Sequence, residues 1–221
     1  MVLCYHNRIT TSLLSRMILF KYFLKEKVRV PRVIIKYGRL IDPIFTFYCQ
    51  NNPDLKKRGW NDWTPPSKEE LDRRIKAYKE EWGKYNIVKD ISDCLGLSFR
   101  RDIIDVFIVS GISRASSHPI IIKSGFKPKE FVITLAHELT HVILSNNKIR
   151  RIIFDNKESD ITNNHVPTFA VLKKILDNEL WKIEVRRMGE HGTNEYTKAL
   201  TIMEKIGSDK VIEMIRAGKR K

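Results

Sequence analysis

Two histidines and a glutamate stand close together in the sequence HELTH, which runs from His137 to His141. Residues four apart on an α-helix lie one above the other on the same face, so both imidazoles can bind one metal ion. Zinc suits this pair of ligands, and Glu138 is then placed to act on a water molecule at that zinc. The pattern therefore predicts a zinc-dependent hydrolase, with peptide bonds as the favoured substrate.

The residues around HELTH indicate that it lies on a buried helix. Apolar side chains recur on both sides of the motif, at Phe131, Val132, Leu135, Ala136, Leu139, Val142, Ile143 and Leu144. A pattern with only three fixed positions also arises by chance. However, each buried polar group costs free energy unless it is paired, so a purely structural helix has no need of His, Glu and His together. A bound metal is the simplest partner for the two histidines.

A catalytic zinc has three protein ligands and one open position, so HELTH leaves one ligand to be found. His165 is the first choice, because it begins an apolar helix downstream that could cross the HELTH helix. The alternative is a carboxylate from the following helix, either Glu179 or Glu184. His118 precedes a predicted strand and His191 lies in a glycine-containing stretch, so these two are candidates for contact with substrate.

The chain is basic. It has 221 residues, 42% of them hydrophobic, with 41 Lys and Arg against 26 Asp and Glu, which gives a net charge of +15. This length allows one sizeable core. The charge favours polyanions such as nucleic acid or anionic membrane as partners. Because the positive residues are spread along the chain rather than concentrated in one arm, a solvated basic surface is the favoured explanation, and nucleic-acid binding is the less favoured one.

The cysteines and the N-terminal stretch bear on the compartment. Cys4, Cys49 and Cys94 are far apart and form no CxxC pair, which favours buried free thiols in a reducing environment. Residues 1–30 lack the apolar run and cleavage site of a secretory signal, and no run approaches the length of a membrane span. We therefore expect a cytoplasmic protein with a poorly ordered segment at 1–30 and a single domain over residues 31–221.

The order of the predicted elements indicates an α+β fold, mostly helical, with a small sheet packed against the HELTH helix. Turn residues and apolar periodicity predict the elements in chain order. The first half has an extended piece near 33–35, a helix to about 51, a loop at 53–66, a helix that opens with a Ser67 and Glu70 capping box and runs to about Asp90, and a further segment to Leu95. The second half has strands at 103–109 and 119–125, the HELTH helix at 127–147, a helix from His165 through Val185 with Pro167 in its first turn, a break at 188–193, and closing helices at 194–206 and 208–217.

The chain resembles small, largely uncharacterised HExxH metallopeptidase-like proteins of the zincin superfamily. The resemblance is firm over His137 to His141 and extends loosely from Gly38 to the C terminus, through GRLIDPIF, LGLSFRRDIIDVFIVS, NNHVPTFAVLKKI and EYTKALTIMEKIG. It implies a zincin-like domain over residues 31–221, and the histidine in NNHVPTF supports His165 as the third ligand. It also implies an edge strand before the metal-binding helix, with Ile120 to Lys123 as the candidate, which would take up an extended substrate by β-augmentation.

These residues predict a mechanism as well as a site. Zinc lowers the pKa of its bound water, and Glu138 takes the proton as general base and returns it to the leaving amine. Tyr196, His191 or Arg186 could donate a hydrogen bond to the oxyanion that forms. The residue types also permit iron, cobalt or manganese in place of zinc.

Two other functions fit parts of the sequence. The basic balance would suit a nucleic-acid-associated protein with a zinc site, such as a SprT-like repair protease, although the sequence contains no zinc ribbon. The second is an inactive zincin-like fold that serves as an interaction scaffold. The presence of Glu138 argues against this function, because a binding module does not need that carboxylate. The favoured partner is a peptide or protein substrate.

Overall fold

The computed structural model describes residues 30–149, 152–191 and 193–218. Within these ranges the chain is 62% helical, with nine helices and a small four-stranded mixed sheet. The predicted α+β, mostly helical fold is therefore confirmed. The N-terminal segment that we expected over residues 1–30 lies outside the described ranges, apart from Val30.

The elements follow one another with short connections. The strands are β1 (Arg32–Tyr37), β2 (Ile103–Val109), β3 (Ser116–Ser117) and β4 (Ile120–Lys123). The helices are α1 (Asp42–Asn51), α2 (Pro53–Leu55), α3 (Lys68–Trp82), α4 (Ile87–Leu95), α5 (Pro128–Asn146), α6 (Asp160–Ile175), α7 (Asn178–His191), α8 (Asn194–Ile206) and α9 (Ser208–Gly218), with a wide π-helical turn at Lys56–Trp60 after α2. Helix α5 carries HELTH.

The sheet has the strand order β1-β2-β4-β3. Strands β1, β2 and β4 are parallel, and the two residues of β3 pair antiparallel with Ile120 and Ile121 of β4. The prediction that Ile120 to Lys123 forms the edge strand is therefore wrong over its first two residues. The chain after β2 folds back on itself, so that Ser116–Ser117 takes the edge position instead.

Helix α5 lies at the centre of the structure. It packs against β3 and β4 and against helices α3, α4, α6 and α7, so that the predicted contact between the HELTH helix and the sheet is confirmed. Its fully buried apolar side chains are Phe131, Val132, Ile133, Leu135, Ala136, Leu139 and Ile143. The ring of Phe131 stacks on Tyr78 of α3 with 4.2 Å between centroids. Burial of this apolar surface is the main stabilising term, and it fixes the orientation of the polar side chains that α5 also carries.

Helix α3 ends earlier than predicted. Ser67 caps its first turn by accepting a hydrogen bond from the Glu70 amide, as expected. The Glu70 carboxylate binds Arg73 and Arg74 rather than reaching back, so the full capping box is not formed. The helix ends at Trp82, before Gly83, and α4 begins separately at Ile87. Glycine disfavours helix interiors, which accounts for the earlier end.

Helix α6 begins earlier than predicted. Ser159 is its N-cap and accepts a hydrogen bond from the Thr162 amide, so His165 lies in the second turn and Pro167 inside the helix. An interior proline removes one backbone hydrogen bond and is costly in an isolated helix. Here the packing of α6 against α4, α5, α8 and α9 holds the helix together. This tertiary support explains why the prediction that Pro167 lies in the first turn of the helix is wrong.

The later boundaries differ in part from the prediction. The expected continuous helix through Val185 is interrupted after Ile175, and α7 begins at Asn178. Helix α7 then runs to His191 through most of the predicted break at 188–193. The two closing helices, split at Gly207, are confirmed. The expected loop at 53–66 contains the short helix α2 and the turn at Lys56–Trp60.

Candidate metal centre

Three imidazoles from two crossing helices converge at one point. Helix α5 contributes His137 and His141, and α6 contributes His165. One potential ligand atom from each residue lies within 4.8 Å of the others. The ring centroids are 4.9 Å apart for His137 and His141, 5.2 Å for His137 and His165, and 4.9 Å for His141 and His165. The structure thus brings together the three histidines that the sequence singled out.

The ring nitrogens are oriented for a shared ligand. The Nε2 atoms of His137 and His141 face each other at 3.1 Å. Two nitrogens bound to one tetrahedral zinc would be about 3.3 Å apart, so this separation fits a metal between them. His165 donates its Nδ1–H to the carbonyl oxygen of Ile161 at 2.7 Å, which leaves its Nε2 free to accept. A backbone carbonyl behind the second ring nitrogen is typical of metal-binding histidines.

Burial keeps the three imidazoles neutral. It lowers the pKa of His137 well below the ordinary value and lowers that of His141 to about 3, and in both cases repulsion from His165 adds to the effect. The pKa of His165 is also lowered, mainly by burial. Since a metal binds the neutral form of imidazole, these side chains need lose no proton at neutral pH.

Glu138 is a buried acid beside this cluster. Its exposed fraction is 8%, and burial raises the pKa of its carboxyl to about 7. It makes no hydrogen bond or ion pair with any residue in the described part of the chain. A buried carboxyl without a partner is costly to a fold, and such groups are concentrated at functional sites.

The cluster opens into a cavity of about 580 Å³, which we call the metal-site cavity. Besides the three histidines and Glu138, its wall includes the edge strand β3, His118, Asn164 and Tyr196. The Tyr196 ring lies 4.2 Å from the His165 ring, between centroids. His118 is exposed at the rim, with its Nδ1 3.0 Å from Ser117 Oγ. The cavity is large enough for part of a peptide.

The other predicted ligands lie elsewhere. Among the described residues, neither Glu179 nor Glu184 belongs to the histidine cluster. Glu179 pairs with Lys129 on the surface. Glu184 is 2% exposed and pairs with Arg187 at 3.2 Å. The tertiary structure therefore favours His165 over both glutamates, because it places a ligand atom of His165, and of neither glutamate, within reach of His137 and His141.

The structure also places the three candidate oxyanion donors differently relative to the histidine cluster. Tyr196 lines the metal-site cavity, whereas Arg186 lines a different cavity next to Glu81. The side chain of His191 lies outside the described part of the structure. Tyr196 is thus the one of the three for which the structure shows a place beside the cluster.

Asn163 is a site residue that sequence reasoning did not single out. Its side chain is 2% exposed and holds the loop before α6 by hydrogen bonds to the backbone. The Oδ1 atom accepts from the amides of Phe154 and Asp155, at 2.8 and 3.0 Å. The Nδ2 atom donates to the carbonyls of Asp155, Glu158 and Ser159. The loop is thereby fixed against the turn that carries His165.

Replacement of Asn163 with alanine is expected to lower the free energy of unfolding by about 2–3 kcal/mol, because buried backbone groups lose their partners. Urea denaturation of the metal-free protein measures this. Asn164→Ala changes the exposed neighbouring residue and should shift stability by less than about 0.5 kcal/mol. Equal stability of the two variants would refute the structural role assigned to Asn163.

Comparison with known proteins adds nothing to this geometry. No protein-family profile, no curated protein and no solved structure matches the chain. No helix in the described ranges is both long and apolar enough to cross a membrane. The residues of the site themselves offer three neutral imidazoles for a metal, a neighbouring acid and a tyrosine hydroxyl.

Proposed function

We propose that this protein is a zinc-dependent peptidase, with His137, His141 and His165 as metal ligands and Glu138 as general base. One observation carries the proposal. Three buried imidazoles converge within 4.8 Å on the wall of a cavity that Glu138 also lines. Three histidines with an open fourth position are a typical ligand set of catalytic zinc. When bound, zinc supplies Lewis-acid chemistry, polarising a water molecule and the carbonyl group of the substrate.

Glu138 moves the proton in this mechanism. Its carboxyl follows the first histidine ligand in the chain and has no competing partner among the described residues. A positive charge nearby favours the ionised form of a buried carboxyl, so Glu138 is a base when the site is filled. It accepts the proton of the attacking water and delivers it to the leaving amine.

Tyr196 is the proposed oxyanion donor. Burial raises the pKa of its hydroxyl, so the group stays protonated at neutral pH. The hydroxyl makes no hydrogen bond within the described part of the chain, and it lines the same cavity as Glu138. It is therefore free to donate to the carbonyl oxygen of a substrate as negative charge develops there.

The edge strand β3 supports a peptide as the substrate. Ser116 and Ser117 line the metal-site cavity, and within the described sheet only β4 pairs with them. An extended peptide can add to such an edge through backbone hydrogen bonds. This arrangement would lay the peptide along the cavity wall.

Tyr196→Phe is expected to lower kcat for a peptide substrate by about 10²-fold, because it removes one hydrogen-bond donor to the oxyanion and keeps the ring. KM and zinc content should change little. Steady-state kinetics and metal analysis measure both quantities. Tyr48→Phe, which alters a tyrosine on α1 away from the cavity, is the matched control. An unchanged kcat in Tyr196→Phe would exclude the hydroxyl as donor.

Metal analysis of the purified protein tests the proposal as a whole. We expect one zinc per chain by mass spectrometry, and hydrolysis of a mixed peptide library that stops when zinc is chelated and returns when zinc is restored. A protein that binds no zinc even when it is supplied would overturn the proposal. So would hydrolysis that is insensitive to chelation.

A further inference from the structure

A second cavity adjoins the metal-site cavity. It has a volume of about 310 Å³ and shares Ala115, His137, Glu138 and Tyr196 with its neighbour. A group bound there would touch the same glutamate and tyrosine as a substrate bound at the metal site. We call this second space the basic cavity, because of the side chains that line the rest of it.

Four cationic side chains line the basic cavity: Arg58, Arg114, Lys123 and Arg187. The acids in its wall are Glu138 and Glu184. Glu184 is already paired with Arg187, and Glu138 has its proposed role in proton transfer. The other three cations make no hydrogen bond or ion pair with any residue in ranges 30–149, 152–191 and 193–218. The cavity wall therefore carries three cationic side chains without a direct partner in the described chain, although Glu195 attracts Arg114 and Glu130 attracts Lys123 from a distance.

Lys123 is the least exposed of the three unpaired cations. It ends β4 and is half-buried, with its ammonium group 4.8 Å from the centre of the Phe126 ring. Burial lowers the pKa of this amine and the nearby Arg187 lowers it further, while Glu130 acts in the opposite direction without reversing the shift. Withdrawing a charge from water without a directly paired counter-ion costs free energy. A negatively charged ligand in the cavity would offset that cost.

The contacts of Arg187 orient the charge in the cavity. Its guanidinium donates to Glu184 Oε2 and to Thr134 Oγ1, at 3.2 and 3.1 Å, and lies 5.2 Å from the Phe126 ring. These contacts hold Arg187 in place and pair its charge with Glu184. The exposed Arg114 is not held in this way and can turn toward a ligand.

We infer that the basic cavity binds a carboxylate of the substrate next to the bond that is cleaved, so that the enzyme prefers acidic peptides. This inference rests on the proposed function for its substrate class. The carboxylate has two sources, the side chain of an internal Asp or Glu, or the free C terminus of a short peptide. Lys123 and Arg114 would select for it by charge-assisted hydrogen bonds, which are stronger than neutral ones.

Binding of matched peptides to the zinc-loaded Glu138→Gln protein tests the inference without turnover. One arm compares acetyl-Leu-Ala-Glu-Ala-amide with its Gln counterpart, which examines the internal side chain. The other compares acetyl-Leu-Ala-Ala with a free and with an amidated C terminus. We expect the charged member of at least one pair to bind roughly tenfold to a hundredfold more tightly, and this preference should weaken at high salt. The arm that shows it identifies the source of the carboxylate.

Variants assign the preference to the cavity. Lys123→Met keeps an apolar stem on Phe126, and Arg114→Gln changes an exposed side chain that should not disturb folding. Each should reduce the preference for the charged peptide about tenfold. Lys182→Met, an exposed lysine on α7 outside the basic cavity, removes the same charge and should leave the preference unchanged. The same binding measurements on metal-free protein show whether the preference depends on direct contact between the peptide carboxylate and zinc.

The outcomes separate this inference from the proposed function. Equal binding of charged and neutral peptides overturns the inference, and so does a preference that survives in both Lys123→Met and Arg114→Gln. In either case the wild-type protein can still hydrolyse peptides. Conversely, a carboxylate preference lost in the two variants supports the basic cavity even if the wild-type protein hydrolyses no peptide, which would count against the peptidase proposal alone.

Discussion

Replacing Glu138 with glutamine is expected to leave zinc content unchanged and to lower peptide turnover by about 10²–10⁴-fold, the range for loss of a general base. Glutamine has nearly the same shape but accepts no proton at neutral pH. Metal analysis and single-turnover kinetics on the same preparation measure the two effects. Glu213→Gln, on the exposed face of α9, is the matched control and should retain full activity. Equal turnover in Glu138→Gln and wild type would remove Glu138 from the mechanism.

The same variant has a second expected effect, on stability in the absence of metal. Burial raises the pKa of Glu138 to about 7, so the native state binds this proton more tightly than the unfolded chain does. Such a group stabilises the fold at low pH, and the contribution is lost as the pH rises through about 7. Metal-free Glu138→Gln should therefore have a higher Tm than metal-free wild type at pH 8, and the difference should shrink toward pH 4. Thermal scans at the two pH values measure it.

Replacing His165 with alanine is expected to weaken zinc binding by more than about 100-fold. Loss of a residue that only hydrogen-bonds to a metal ligand already weakens binding by about 10- to 100-fold, and loss of the ligand itself should weaken it further. Removing the imidazole leaves two ligands from α5, which are too few to complete a catalytic site. Competition with a chelating dye gives the affinity, and mass spectrometry gives the stoichiometry. Peptide hydrolysis should fall with the bound zinc.

His118→Ala is the matched control for that experiment. His118 lines the same cavity but is not one of the three clustered histidines, so its loss should leave the zinc affinity unchanged. If His165→Ala retains zinc at wild-type affinity, the third ligand is another residue. The buried Glu184, which lines the adjoining basic cavity with His137, would then be the next candidate.

The sequence alone determined what is local to one helix. His137 and His141 are a turn apart, so their shared face follows from helix geometry and needs no knowledge of the fold. The apolar residues around them predicted burial of that helix. The helix begins at Pro128 and ends at Asn146, within a residue or two of the expected ends. The α+β class followed in the same way, from the periodicity of separate segments.

The tertiary structure decided everything that depends on how separate segments meet. The approach of His165 to the other two histidines requires α6 to cross α5, and neither helix encodes that crossing in its own pattern. The proline in α6 even suggested a later helix start, because local rules take no account of the packing that supports an interior proline. Sequence patterns also do not show which strand of a sheet lies at its edge, so Ser116–Ser117 was missed.

The basic cavity shows the same limit most clearly. Lys123 and Arg187 are distant in sequence, and each would pass as an ordinary surface cation in a chain with a net charge of +15. Only the folded chain brings them into one wall beside Glu138. Spacing along a helix is fixed by backbone geometry, whereas a cavity is formed by side chains whose separation in sequence carries no information about their distance in space.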